Sequence, residues 1–151
     1  MIKIICIGKI KEKYLTEAIE EYKKRLSKYT KLEIIELKDE QDSDIKASLE
    51  KEKHQILKNI SEKDNLIILD VKGKEYNSIE FSKLINNELT YNSNITFLIG
   101  SSNGLAEDIK KLTNKKVSFS PLTFPHQLFR VLLLEQIYRS FKILNNESYH
   151  K

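Results

Sequence analysis

The sequence predicts an α/β fold, a mostly parallel sheet with helices on both faces. Short apolar runs rich in Ile, Val and Leu alternate along the chain with longer segments of helical period. Alternation of that kind builds strand–helix–strand units and hence parallel pairing. The chain holds only 4 Gly and 2 Pro, and no repeat, linker or low-complexity tract interrupts the pattern. At 151 residues it fits one domain around one core, spanning residues 1–151.

The elements follow in order. Ile2–Ile7 reads as a buried strand. Tyr14, Leu15, Ala18, Ile19, Tyr22 and Leu26 mark an amphipathic helix with Lys, Glu and Arg on its other face. Leu32–Leu37 is a second strand, and Asp42 or Ser43 is placed to cap a helix carrying Ile45, Leu49, Ile56, Leu57 and Ile60. Residues 66–71 form a third strand ending at Lys72-Gly73-Lys74. Ser78 is placed to cap a helix with Phe81, Leu84, Ile85 and Leu89 on its apolar face. Ile95–Ile99 is a fourth strand, followed by a helix through Ile109 and Leu112. Residues 116–119 are a short fifth strand, and the last helix runs over residues 127–144.

Composition narrows the function. A net charge of +4 is mildly basic, too small by itself to mark a nucleic-acid binder. The sole cysteine, Cys6, sits inside an apolar strand, which excludes an internal disulfide framework and points to a reducing compartment. No apolar run reaches the length of a membrane span, and the start of the chain reads as a strand and not as a leader. A cytoplasmic protein with no membrane partner is expected.

In open parallel sheets, ligands bind beyond the carboxyl ends of strands. The loops after Leu69, after Ile99 and after Phe119 are therefore the first candidates. Gly100-Ser101-Ser102-Asn103-Gly104 is neither a Walker loop nor a dinucleotide fingerprint. Glycine at both ends lets backbone N–H groups approach a ligand, but an ordinary strand-to-helix turn has the same composition. Phe119, Ser120, Pro121, Leu122, Thr123 and Phe124 form an apolar, non-helical loop. It can wrap an adenine, or it can be a structural loop pinned by Pro121 and Pro125.

His126 and His150 lie near these loops and can exchange a proton, hydrogen-bond or contact phosphate. His54 lies in a charged helical stretch and is expected at the surface. The histidines lack paired carboxylates or ligand spacing, so no metal is expected. The last helix is apolar on more than one face, with Arg130, Glu135 and Arg139 interspersed. That suits either a subunit interface with embedded ion pairs, the preferred reading, or a central helix covered on two sides. The lysines and Arg25 around the first helix interleave with glutamates, as on a solvated face. The ending Tyr149-His150-Lys151 gathers an aromatic, an imidazole and an ammonium, so the tail is expected to be placed.

Four segments together resemble the SPOUT-class ribosomal RNA large-subunit methyltransferase H family over the whole chain. They are Lys3-Ile-Ile-Cys-Ile-Gly-Lys9, Leu69-Asp-Val-Lys-Gly-Lys74, Phe97-Leu-Ile-Gly-Ser-Ser-Asn-Gly-Leu105, and Thr123-Phe-Pro-His-Gln-Leu-Phe-Arg130 with the Tyr-His-Lys end. The resemblance implies a SPOUT-type fold with a C-terminal trefoil knot. It implies a homodimer that works without metal and methylates N3 of a pseudouridine in large-subunit ribosomal RNA, within the ribosome. It implies S-adenosylmethionine as cofactor, held by Leu69, Gly100 and the loop from Phe119 to Phe124. His126, Arg130, Tyr149, His150 and Lys151 are then expected on the target side, with His150 either base or phosphate ligand. Two departures stand out. Ser101 occupies a position where the family commonly has glycine, which would strain serine if φ were positive there. Asn146 and Ser148 replace glycine and proline in the tail, and asparagine tolerates left-handed backbone.

Overall fold

The computed structural model describes all 151 residues. Its elements are β1 (Ile2–Ile7), α1 (Lys13–Leu26), β2 (Leu32–Leu37), α2 (Ile45–Asn59) and β3 (Leu66–Glu75). They continue with α3 (Ser78–Tyr91), β4 (Ile95–Ile99), α4 (Glu107–Lys110), β5 (Lys116–Ser118) and α5 (His126–Leu144). The strands form one sheet in the order β2-β1-β4-β3-β5, with every pairing parallel.

Both faces of the sheet are covered, which is why the inner strands are apolar at successive positions. Alternate side chains split between two layers. Ile2, Ile4 and Cys6 join Phe97, Ile19, Ile85 and Ile137 on the face covered by α1, α3 and α5. Ile5, Ile7 and Leu98 join Ile56 and Ile109 on the face covered by α2 and α4. The expected α/β architecture is thus the observed one.

Several boundaries differ from expectation. The cap of α2 is Asp44, whose carboxylate accepts from the Lys46 N–H, and not Asp42 or Ser43. The cap of α3 is Asn77, one residue earlier than expected. Its side chain accepts from Glu80 N–H while the Glu80 carboxylate accepts from Asn77 N–H. The helix around Ile109 is only one turn, Glu107–Lys110, and half-exposed Leu112 lies beyond it. Finally, β5 stops at Ser118, and α5 starts one residue earlier than expected, at His126.

The largest difference lies in β3, which continues to Glu75 instead of ending at Val71. Val117 of β5 is opposite both Leu69 and Lys74, so the intervening residues bulge out of the ladder. At the bulge Gly73 lies directly on the β5 backbone. A Cβ there would sit 2.6 Å from the Lys116 carbonyl carbon and 2.7 Å from Val117 N. Backbone cannot yield as a side chain tip can. Gly73→Ala is therefore expected to destabilise the protein by about 1–3 kcal/mol through overpacking, read as a lowered urea midpoint at unchanged m-value. A wild-type midpoint in that variant would show that β3 and β5 do not approach so closely.

Candidate active site

The carboxyl ends of three strands lie side by side. Leu69 is in register with Ile99 on one flank and with Val117 on the other. The bulge that stands where a loop was expected after Leu69, and the loops after Ile99 and Ser118, therefore lie together. Beside β5 a cavity of about 570 Å³ opens between the start of α3 and the middle of α5. Phe119 and Phe124 line it from the loop after β5, His150 from the tail, and Ser78, Gln136 and Leu132 from the two helices. The volume is that of a small-molecule site, with mostly apolar walls and a few convergent polar groups.

The aromatic wall is part of the core. Phe119 meets Phe81 edge-on at 5.7 Å and Phe129 at 4.9 Å, and Phe124 reaches Phe129 at 6.3 Å. Ser120 shapes the turn: its carbonyl accepts from the Ser118 hydroxyl at 3.2 Å and its hydroxyl accepts from Leu122 N–H at 3.0 Å. Pro121, Leu122 and Thr123 are exposed at the rim.

The opposite wall is a polar network built on α5. The Ser78 hydroxyl donates to the Gln136 side-chain carbonyl at 2.8 Å, and the Gln136 amide donates to Glu135 at 2.8 Å. Glu135 also accepts from Arg139 at 2.6 and 3.1 Å and from the Tyr149 hydroxyl at 3.0 Å. The Tyr149 ring stands edge-on to Tyr138 at 5.0 Å, and the Arg139 guanidinium lies 4.8 Å from the Tyr149 ring centre. Burial and the Glu135 carboxylate push the Tyr149 phenol up to about 12. Arg139 reaches His150 Nδ1 at 3.1 Å. The tail is thus held by three side chains of α5, while Lys151 is exposed.

Several expected residues are elsewhere. Arg130 does not face the cavity. It is 1% exposed, donating to Glu36 at 2.6 Å and to the Gly8 carbonyl at 3.1 Å. Burying a guanidinium requires such partners, so this side chain ties α5 to the ends of β1 and β2 instead of meeting a ligand. His126 sits beside it. Its Nε2 is 3.6 Å, and the Asp39 Cβ 3.8 Å, from where a side chain on Gly8 would begin. Leu69 and Gly100 lie at the sheet end but do not line the cavity. Tyr76, Asn77, Ser78, Ile79, Leu132 and Gln136 line it and escaped sequence reasoning. The one available signal was the Asn77–Glu80 spacing, which marks a helix start but not what the start faces.

Comparison with known proteins decides the family. A family model described as "Predicted SPOUT methyltransferase" matches residues 1–150. The chain belongs to the SPOUT methyltransferase family. Curated relatives named "Ribosomal RNA large subunit methyltransferase H" are similar over nearly their whole length. The protein of Clostridium botulinum strain Kyoto is 57% identical over 99% of both chains. That of Caldicellulosiruptor saccharolyticus is 50% identical over 100% of both. A tRNA (m1G37) methyltransferase from Aquifex aeolicus shares the fold, with a TM-score of 0.52 at 14% identity, covering 91% of this chain and 69% of its own.

Membership makes this chain an enzyme that takes a methyl group from a donor. In this SPOUT methyltransferase the loop after β4 closes on itself. Gly104 N–H donates to the Ser101 carbonyl at 2.9 Å. A Cβ on Gly100 would lie 2.7 Å from the Gly104 oxygen, so glycine is needed for the loop's own closure. Ser101 carries no left-handed strain, because Asn146 is the one non-glycine residue with positive φ, at 54°. The Ser101 hydroxyl bears instead on buried Glu52. Burial pushes that carboxyl up, and the Glu40 N–H and the Ser101 hydroxyl partly offset it.

The Arg130 anchor generates a prediction. Glu36→Ala leaves a buried guanidinium short of its anion, and stability is expected to fall by about 1–3 kcal/mol. Adding Arg130→Met should restore part of the loss in urea denaturation. A double variant less stable than Glu36→Ala alone would mean that the pair is not the coupled unit described.

Proposed function

We propose that this enzyme uses S-adenosylmethionine to methylate N3 of a pseudouridine in large-subunit ribosomal RNA. The substrate assignment is supported by relatives named ribosomal RNA large subunit methyltransferase H, at 50% and 57% identity over essentially the whole chain. The observation that carries the cofactor assignment is the cavity of about 570 Å³ at the sheet end, walled by Phe119 and Phe124 and faced by His150. Its size and its aromatic wall fit an adenosine. We assign Leu69, Gly100 and the loop of Phe119, Ser120, Pro121, Leu122, Thr123 and Phe124 to holding the cofactor. When bound, it supplies an electrophilic methyl group on a sulfonium.

The protein's work is positional. The loop after β5 offers aromatic faces and main-chain groups to hold the adenosine. Tyr149, His150 and Lys151 close the target side, where a cation stabilises the anion that develops as the imide N–H is lost. His126 stands at the rim formed by the ends of β1 and β2, and Arg130 supports that rim from within. The trefoil knot belongs to this reading. So does a homodimer, which doubles the basic surface a +4 protomer offers to RNA. The apolar residues of α5 left part-exposed, Leu128, Val131 and Leu132, are the surface we assign to it. A cytoplasmic location follows from a ribosomal substrate. No helix is long and apolar enough to cross a membrane.

The decisive measurement is transfer of labelled methyl from the cofactor to ribosomes from cells lacking the enzyme, followed by nucleoside mapping. Label on N3 of a pseudouridine of the large subunit is expected. Label on transfer RNA alone would overturn the assignment. Removing Tyr149, His150 and Lys151 is expected to abolish transfer while calorimetry finds cofactor affinity largely unchanged. Full activity in the truncated protein would refute the tail's role.

A further inference from the structure

The contact between Arg139 and His150 bears on which ring nitrogen of His150 holds a hydrogen. Arg139 Nη1 lies 3.1 Å from His150 Nδ1. A guanidinium carries donors and no acceptor, so Nδ1 must be the acceptor in this bond. A proton on Nδ1 would set two donors against each other. The neutral ring then carries its hydrogen on Nε2. Arg139 cannot easily turn away, because Glu135 grips it at 2.6 and 3.1 Å and its plane rests on the Tyr149 ring. Glu135 is itself held by Gln136 and Tyr149. Glu135, Gln136 and Arg139 of α5, with Tyr149 of the tail, thus fix one imidazole tautomer at the wall of the cavity.

We propose that Arg139, clamped by Glu135, locks His150 as the Nε2–H tautomer, so that His150 donates a hydrogen bond to a carbonyl oxygen of the reacting base and does not accept its proton. The proposal rests on the methyl-transfer reading. As the N3–H of a uracil-type ring ionises, negative charge spreads onto the flanking carbonyl oxygens. An N–H donor aimed there stabilises the charge where it develops. The N3 proton leaves to solvent water. The N–C bond forms with the ring's electron pair as the S–C bond of the sulfonium breaks, and a neutral thioether departs. His150 begins and ends the step with the same hydrogen. Arg139 and Glu135 touch no reacting atom in this scheme and are positioning residues.

The test separates the tautomer from the activity. Long-range proton–nitrogen correlation spectra of the intact protein with labelled histidine are expected to show His150 with a bare, hydrogen-bonded Nδ1 and a protonated Nε2. Arg139→Lys, which keeps a donor, should preserve that pattern, and Arg139→Met, which has none, should release it toward the pattern of exposed His54. A proton on Nδ1 of the wild-type ring, or a pattern unmoved by Arg139→Met, overturns the proposal whatever the substrate proves to be. In methyl transfer at saturating cofactor, His150→Gln keeps an N–H donor but no base, and is expected to hold within about tenfold of wild type. His150→Phe should lose on the order of 10²–10³-fold, as for loss of one oxyanion donor. Equal losses in the two variants would identify His150 as the proton acceptor. A loss in His150→Phe confined to cofactor affinity by calorimetry would assign the acceptor oxygen to the cofactor, and also overturns the proposal. Absence of transfer by the wild type, with the tautomer as described, would instead refute the functional reading on which the proposal rests.

Discussion

The burial of α5 between α1 and α3 is the constraint on which the site depends. Leu133, Leu134, Ile137, Tyr138 and Phe141 anchor it in the larger core layer. The same helix carries Arg130, Glu135, Gln136 and Arg139 on its remaining faces. Each polar side chain is thereby aimed from a rigid axis, and the tail is positioned by docking onto that axis. A helix that served the core alone would need fewer polar residues. One that served only the site would lack the apolar contacts that keep its side chains in place. Sites built on packed helices hold their geometry better than sites built on loops alone.

Charge on α5 is handled in two ways. Arg130 is fully enclosed and meets one carboxylate and one carbonyl, while its Nε has no protein partner. Glu135 and Arg139 are part-exposed and form a longer network with Gln136, Ser78, Tyr149 and His150. The first arrangement locks the helix to β1 and β2 and leaves little freedom. The second lies beside the cavity and holds the side chains of the tail in place. Burial separates an ion pair that anchors the helix from one that positions the tail.

The layered fold was legible because its signal is local. An apolar strand such as Ile2–Ile7 and an amphipathic helix such as Lys13–Leu26 announce themselves within their own residues. The two layers follow from period-2 alternation within the strands. The site was only half legible. Phe119, Phe124 and His150 were found from residue type and from the rule that ligands lie beyond strand ends, and the structure brings them to one cavity. Ser78 and Gln136 were missed because what they face depends on strand order, which puts β5 at the edge beside β3. Arg130 was misplaced for a similar reason. Its partner Glu36 is 94 residues away, on a strand whose end could not be aligned with α5 from sequence. The bulge at Gly73 was hidden too, since a strand that skips a stretch and resumes looks like a strand that stops.

The side chains available for chemistry agree with a positional mechanism. Cys6 is the one thiol, and burial pushes it up to about 12, so it stays protonated at neutral pH. Its Sγ is directed at the Ile35 carbonyl at 3.5 Å, inside the sheet. A protonated thiol is a poor nucleophile, and this one lies behind a strand instead of at the cavity wall. Tyr149 is likewise kept neutral, donating to Glu135. Neither side chain offers an ionised nucleophile at neutral pH. What remains is hydrogen-bond donors fixed by charged neighbours and aromatic faces fixed by the core. Such groups accelerate a reaction by holding two partners in line and by meeting charge as it appears. A donor that already carries an activated methyl group requires little more from the protein.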